Sequence, residues 1–404
     1  MATPALTVPV AQRTAPIISV LLLAGMAYAL SQTMVFPALP TIADHFDAGP
    51  EATSWVLTAF FLAASVATPI FGKLGDLYGK DRVLPIVLGL LCIGSIMCAL
   101  APSIGWVIAG RCLQGAGAIS AAVVALTADL TRDVVRTRAM AAIGITIGAT
   151  FAASIVAGPL LKGSIGVPGI FVMTGVLALA AIAVVHFAVP SVDGRAQTPA
   201  TAPGQLRAVL RDPQLLRLNY GTFALHAVLM ALFTQVPFAL RDNGLAAERH
   251  WIVYLPVLLV SVLLMLPFLR RVDRPGQGKL LMNSAVAVLL ASTFALALSL
   301  HWVLALCVAL TVFFAALNLL EAMLPALVSK YVASDARGAA IGVNSSAQFL
   351  GAFAGAAAGG WLVEHSGNAA VFALCVALTA LWLAATATMS PPARYATNYS
   401  MGET

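Results

Sequence analysis

The amino-acid sequence predicts an all-α membrane protein of twelve transmembrane helices arranged as two six-helix bundles. Three observations predict it. Of the 404 residues, 60% are hydrophobic and only 9% are charged, whereas a soluble domain is about half apolar and about a quarter charged. The apolar residues fall into runs near the ~20 residues that a helix needs to cross ~30 Å of hydrocarbon. The cations crowd into every second connection between those runs, the pattern of loops on the cytoplasmic face.

In chain order the runs lie near 16–38, 53–72, 83–101, 105–127, 138–161 and 168–189, then 217–239, 251–269, 280–300, 302–328, 339–361 and 369–389. The first has a lone preceding cation, Arg13, and no small-residue cleavage site, so it reads as an uncleaved span rather than a signal peptide. With both termini in the cytoplasm, 18 of the 22 Lys and Arg residues fall inside and three (Lys162, Arg241, Arg249) outside. Arg111 lies within a span. Trp55, Trp106, Trp251, Trp302 and Trp361 all land at outer ends of spans, where indole rings favour the headgroup level.

Between the sixth and seventh runs lies a stretch rich in Pro, Ala, Gly and Arg, expected to be a cytoplasmic linker over 190–216. It divides the chain into a bundle over 1–189 and a bundle over 217–404. A polar knot, Gly72 to Arg82, whose glycines permit a tight turn and close helix approach, follows the second span. A worn copy at Asp273-Arg274-Pro275-Gly276 begins 197 positions after Asp76 and follows the eighth, so the halves read as repeats.

Several function classes are disfavoured. The net charge of +6 follows membrane topology, not a nucleic-acid surface. The five cysteines sit singly in apolar runs without CxxC spacing, and read as packing residues. No G-x-x-x-x-G-K-[ST] loop, zinc-site spacing or Ser–His arrangement is present. The expectation is neither an enzyme nor a direct user of ATP, with no cofactor and no metal.

Gly72-Lys73-Leu74-Gly75-Asp76-Leu77-Tyr78-Gly79-Lys80 resembles the loop signature G-x-L-a-D-r-x-G-r-k of the major facilitator superfamily. That resemblance extends over all twelve spans and implies the superfamily's fold and its alternating access. It implies conformational gating by Gly72, Asp76, Gly79, Lys80 and Arg82, with Asp129 near the next cytoplasmic end. Asp76 has the chemistry to accept from the N-terminus of a neighbouring helix. Leu77 and Asp81 depart from the family's basic residues. Arg111-Cys112-Leu113-Gln114-Gly115-Ala116-Gly117 is similar to the fourth-helix signature of proton-coupled members. Gly158-Pro159 resembles the end of the fifth-helix antiporter signature and implies export and a place in conformational gating, with Ser154 and Lys162 where glycine is usual. In the first span Leu30 to Pro40 resembles the drug/proton antiporter signature, but Ser31 replaces its Asp and Phe36 its Asn. The stretches around His226 and Glu321 resemble the YajR-type group of proton-driven exporters.

Sixteen acids are present, and only Glu321 falls inside a predicted span; an intramembrane carboxylate is a functional candidate by default. Glu321 lies nine residues before Lys330, and His226 nine residues after Arg217. At 1.5 Å per residue both lie roughly 14 Å from the cytoplasmic boundary. They are therefore expected to share a protonation site, with Arg111, nearer the outside, as a separate buried charge that also takes part in proton coupling. Expected to line the substrate cavity are Tyr28, Gln32, Phe36, Gln114 and Phe151 in the first half. In the second half they are Phe223, Gln235, Phe313, Phe314, Asn318, Asn344 and Gln348. Such a lining suits amphipathic, largely apolar ligands. The expected function is proton-coupled export of small lipophilic or amphipathic compounds by a monomer whose partners are substrate, protons and membrane lipid. The alternatives are a facilitator or importer of a small metabolite or lipid, and a membrane sensor without flux.

Overall fold

The computed structural model describes residues 25–27, 29–78, 80–117, 150, 153–154, 165–187, 203–246, 249–269, 271, 277–332 and 337–389. The regular structure among them is helical. Residues 25–27 and 29–33 form helical turns that pass through Met34 into α1 (Val35–Phe46). Then follow α2 (Pro50–Tyr78), α3 (Lys80–Ala99), α4 (Ile104–Ala116) and α5 (Ile165–Phe187). After the central connection come α6 (Pro203–Arg211), α7 (Pro213–Phe233) and α8 (Val236–Asp242). The chain continues through α9 (Trp251–Leu269), α10 (Gln277–Ser299), α11 (Val303–Tyr331), α12 (Arg337–Ser366) and α13 (Asn368–Ala387).

Eight spans among the described residues are long and apolar enough to cross a membrane, α7 and α8 counting as one. That span breaks at Thr234–Gln235 because Pro237, in the first turn of α8, has no backbone N–H to continue the ladder. At its start, Asp212 Oδ1 accepts from the backbone N–H groups of Gln214 (2.7 Å) and Leu215 (3.2 Å), closing the orphan donors of the first turn.

Two elements differ from the sequence expectation. The knot is not a tight turn: α2 runs on as helix through Gly72 and Gly75 to Tyr78, and α3 resumes at Lys80. Its residues other than glycine are adequate helix formers. Within the expected linker, Pro203–Arg211 is a helix that packs on α7 and α12, with Val209 buried. α12 covers the expected span at 339–361 and is built mainly of Gly, Ala and Ser.

The packing explains α12. It lies along α7 and also against α2 of the other bundle. A Cβ on Gly351 or Gly355 would strike the backbone carbonyl of Phe223 or Ala227 on α7, so glycine here is the condition for the close approach. In the first bundle Gly115 of α4 meets the Phe60 carbonyl of α2 in the same way. Lipid-facing helices carry the opposite signature: on α9, Leu259, Leu263, Leu264 and Phe268 are exposed. Trp55, Trp106, Trp302 and Trp361 are exposed and stand at the end of the bundles remote from the central connection, while Trp382 is fully buried.

At that same end the bundles meet. The Glu51 N–H at the start of α2 donates to Glu364 Oε2 on α12 (3.0 Å), and Arg241 Nη1 reaches Asp44 Oδ1 (3.3 Å). Deeper in, the Phe36 ring stacks on Phe233 with centroids 4.8 Å apart.

Candidate functional site

His226 faces both α11 and α12 from the middle of α7, a helix buried on every side over its central turns. Its Nδ1 lies 2.9 Å from the Thr222 carbonyl one turn earlier. Its Nε2 lies 2.8 Å from Glu321 Oε1 on α11 and 2.9 Å from the Gln348 side-chain amide on α12. The imidazole side chain is 8% exposed and the Glu321 side chain 37%. The pair thus has a closed end on the histidine and an open end on the carboxylate. Two bases in contact, one sealed and one accessible, can hold a proton and hand it over.

Around this pair runs a polar seam between α7 and α12. Asn344 Nδ2 donates to Thr222 Oγ1 (2.7 Å) and to Asn219 Oδ1 (3.1 Å). Asn219, Thr222 and His226 follow one another at helical spacing on α7, as Asn344 and Gln348 do on α12. Asn219 and Thr222 were not among the sequence expectations, although their spacing from His226 places them on its face. On α11, Asn318 Nδ2 donates to Ser261 Oγ of α9 at 3.2 Å.

The second buried charge has a different environment. Arg111 is fully buried in α4. Its Nε donates to the Val56 carbonyl (3.0 Å), and its Nη1 to the Ser31 carbonyl (2.8 Å) and to Gln114 Oε1 (2.7 Å). Its guanidinium carbon lies 4.3 Å from the centroid of the Phe60 ring. Gln114 passes the network on to Ser95 of α3 (2.8 Å), which Thr174 of α5 reaches at 3.2 Å. Arg111 therefore ties the first helical turns, α2 and, through Gln114, α3 and α5 into one unit. An ammonium cannot span these acceptors as a planar guanidinium does. Arg111→Lys is expected to cost about 2–3 kcal/mol of stability, read as a lower thermal unfolding midpoint of the detergent-solubilised protein.

The expected lining residues fall in several environments. Phe36, Gln114, Gln235, Phe313, Phe314 and Asn344 are buried, and Gln32, Phe223, Asn318 and Gln348 are half-buried. Gln235 Nε2 donates to Thr234 Oγ1 (3.2 Å) at the break in the seventh span. Phe36, Phe233 and Phe314 form one aromatic contact chain, the latter two with centroids 6.4 Å apart; Phe233 was not anticipated. Arg82 is exposed on the first turn of α3. Tyr28, Gly79, Asp129, Phe151, Gly158 and Pro159 lie outside the described residues, as do the side chains of Asp76 and Lys80. Gly72 lies within α2.

With this geometry established, comparison with known proteins is informative. The Major Facilitator Superfamily profile matches residues 21–320 and 246–402. The inner membrane transport protein YajR of Escherichia coli is 35% identical over 368 residues, covering 90% of this chain and 81% of that protein. A shorter match, 43% identical over 94 residues, covers 23% of this chain and 16% of the efflux pump dotC of Dothistroma septosporum. Among solved structures, a D-xylose–proton symporter superposes with a TM-score of 0.77 at 14% identity, covering 95% of this chain and 99% of its own. The human organic anion transporter MFSD10 gives 0.69 at 17%, covering 94% and 100%; at such identities the likeness is one of fold. The family profile, the long match to a transport protein and the shared fold agree: the chain belongs to the Major Facilitator Superfamily of membrane transporters.

Proposed function

We propose that this transporter exports small lipophilic or amphipathic compounds across the cytoplasmic membrane in exchange for protons. The observation that carries the reading is the His226–Glu321 contact inside the spans, sealed on the imidazole side and open on the carboxylate side. The similarity to an inner membrane transport protein supports transport across the cytoplasmic membrane, and the local match to an efflux pump supports the export direction. The aromatic chain of Phe36, Phe233 and Phe314 supports an apolar ligand.

In this reading residues 1–189 and 217–404 are the two rocking bundles, joined by 190–216, in a protein that acts as a monomer. Both termini are cytoplasmic, following the 18-to-3 distribution of cations. The contacts Glu51–Glu364, Asp44–Arg241 and Phe36–Phe233 then form the outer gate, and the knot with Asp76 forms the inner one. His226 and Glu321 carry the proton, while Arg111 holds its bundle rigid as the other moves. Gln32, Asn318 and Gln348, half-buried, are the polar contacts offered to substrate.

The test uses proteoliposomes holding an internal pH dye. A substrate gradient is imposed from a panel of lipophilic cations, neutral drugs and organic anions. Proton movement coupled to at least one class is the expected result. Substrate flux without proton movement would replace antiport by facilitated diffusion. Binding without flux for any compound would point to a sensor.

A further inference from the structure

The two contacts of His226 Nε2 cannot both be hydrogen bonds of the same kind at once. Nδ1 faces the Thr222 carbonyl, which only accepts, so Nδ1 keeps its hydrogen whether the ring is charged or neutral. Nε2 is therefore the atom that gains and loses the proton. It has a single in-plane position, occupied by a hydrogen in the imidazolium and by a lone pair in the neutral ring. Within 3 Å of that position stand an acceptor on α11, Glu321 Oε1 at 2.8 Å, and the Gln348 amide on α12 at 2.9 Å.

We propose that Gln348 is a positioning residue for proton release: it takes over Nε2 when the proton leaves, so that protonation decides whether the His226 ring is held by α11 or by α12. The proposal rests on the reading of His226 and Glu321 as the proton site. In the charged state the Nε2–H donates to the Glu321 carboxylate. On release that proton moves to Glu321 Oε1, and the resulting carboxylic acid gives it up on its open side. The bared Nε2 lone pair then accepts from the Gln348 amide N–H. Without that donor, release would leave a buried acceptor unsatisfied, which opposes the step.

Among the described residues, the elements packed on α7 bring no further charge to this exchange. α12 presents the neutral Asn344 and Gln348, and α11 presents Glu321. α13 carries no Asp, Glu, Lys, Arg or His; its Cys375 is buried. Arg207 and Arg211 of α6, Arg217 and Tyr220 of α7, and Lys330 and Tyr331 of α11 lie toward the central connection, with Tyr220 donating to the Leu378 carbonyl (3.1 Å). Arg241 and Asp242 of α8 lie at the opposite end. The helix that Gln348 belongs to also reaches α2 of the other bundle, through Gly360 beside Ser54 and through Glu364 on the Glu51 N–H. A change of grip on α12 is thus passed directly to the contact between bundles.

The experiment is nitrogen NMR of 15N-histidine-labelled protein in lipid nanodiscs, with the His226 signals identified by their loss in His226→Gln. It needs no substrate. In the wild type the neutral ring is expected to carry its hydrogen on Nδ1. In Gln348→Met, which keeps the volume but loses the donor, the titration midpoint of His226 is expected to rise by about half to one pH unit. Gln348→Glu, which offers a carboxylate to the imidazolium, raises it further and serves as the second variant if the first does not fold. A neutral ring with its hydrogen on Nε2, or an unchanged midpoint in a folded variant, overturns the proposal. A protein that shows the expected midpoints but no proton-coupled flux in proteoliposomes would instead overturn the transport reading and leave the exchange at Nε2 standing.

Discussion

Glu321→Gln is expected to reduce proton-coupled transport by about a hundredfold or more, the scale on which losing the group that accepts and releases a proton is felt. The side chain keeps its length, and the amide can still meet His226, so folding is spared. What disappears is the open end of the pair. Glu321 is the half of the contact with 37% of its side chain accessible, and an amide cannot carry the proton from the sealed imidazole to the open side of the pair. The measurement is the rate of internal pH change in proteoliposomes under a substrate gradient, wild type beside variant, with thermal unfolding as the control. A variant with unchanged unfolding and full proton flux would remove Glu321 from the mechanism.

The second large effect is on stability. Gly355→Val is expected to cost about 3 kcal/mol or more, because the new branched side chain would be driven into the Ala227 carbonyl. Backbone cannot rotate out of the way as a side-chain tip can. α7 and α12 must separate, and the hydrogen bonds of Asn344 and Gln348 across their seam lengthen together. Gly359 provides the comparison. Its Cβ would come within 2.7 Å of the Thr234 hydroxyl, a group able to turn aside, so Gly359→Ala is expected to be the milder change. Thermal denaturation and monodispersity in detergent separate the two. Equal effects at both positions would show that the approach of the helices does not depend on the Ala227 contact.

These cases show which parts of the molecule can be read from sequence. Spans announce themselves because lipid imposes a length, and α9, α10, α11 and α13 lie within a few residues of the apolar runs that predict them. The same ruler, a constant rise per residue from a cation at each helix end, places His226 and Glu321 at one depth. Gln348 has no such anchor. It is neutral, and its place beside Nε2 follows from the rotation of α12 about its axis, which the glycines at 351 and 355 set. The acceptors of Arg111 were equally hidden, because the carbonyls of Ser31 and Val56 carry no residue-type signal. The knot from Gly72 was misjudged as a turn because glycine pairs read as punctuation, whereas the helix runs through them with only Gly79 between α2 and α3.

The composition of α12 also bears on how the protein is made. A segment rich in Gly, Ala and Ser gains less from leaving water for hydrocarbon than a Leu-rich span does. Its place in the bilayer is therefore set by protein surface rather than by lipid. Both surfaces that receive it, on α2 and α7, are synthesised before it, so a finished slot precedes the helix that fills it. Biogenesis of the C-terminal region is in this sense templated: α12 docks on surfaces the chain has already made, whereas the apolar α13 can partition on its own.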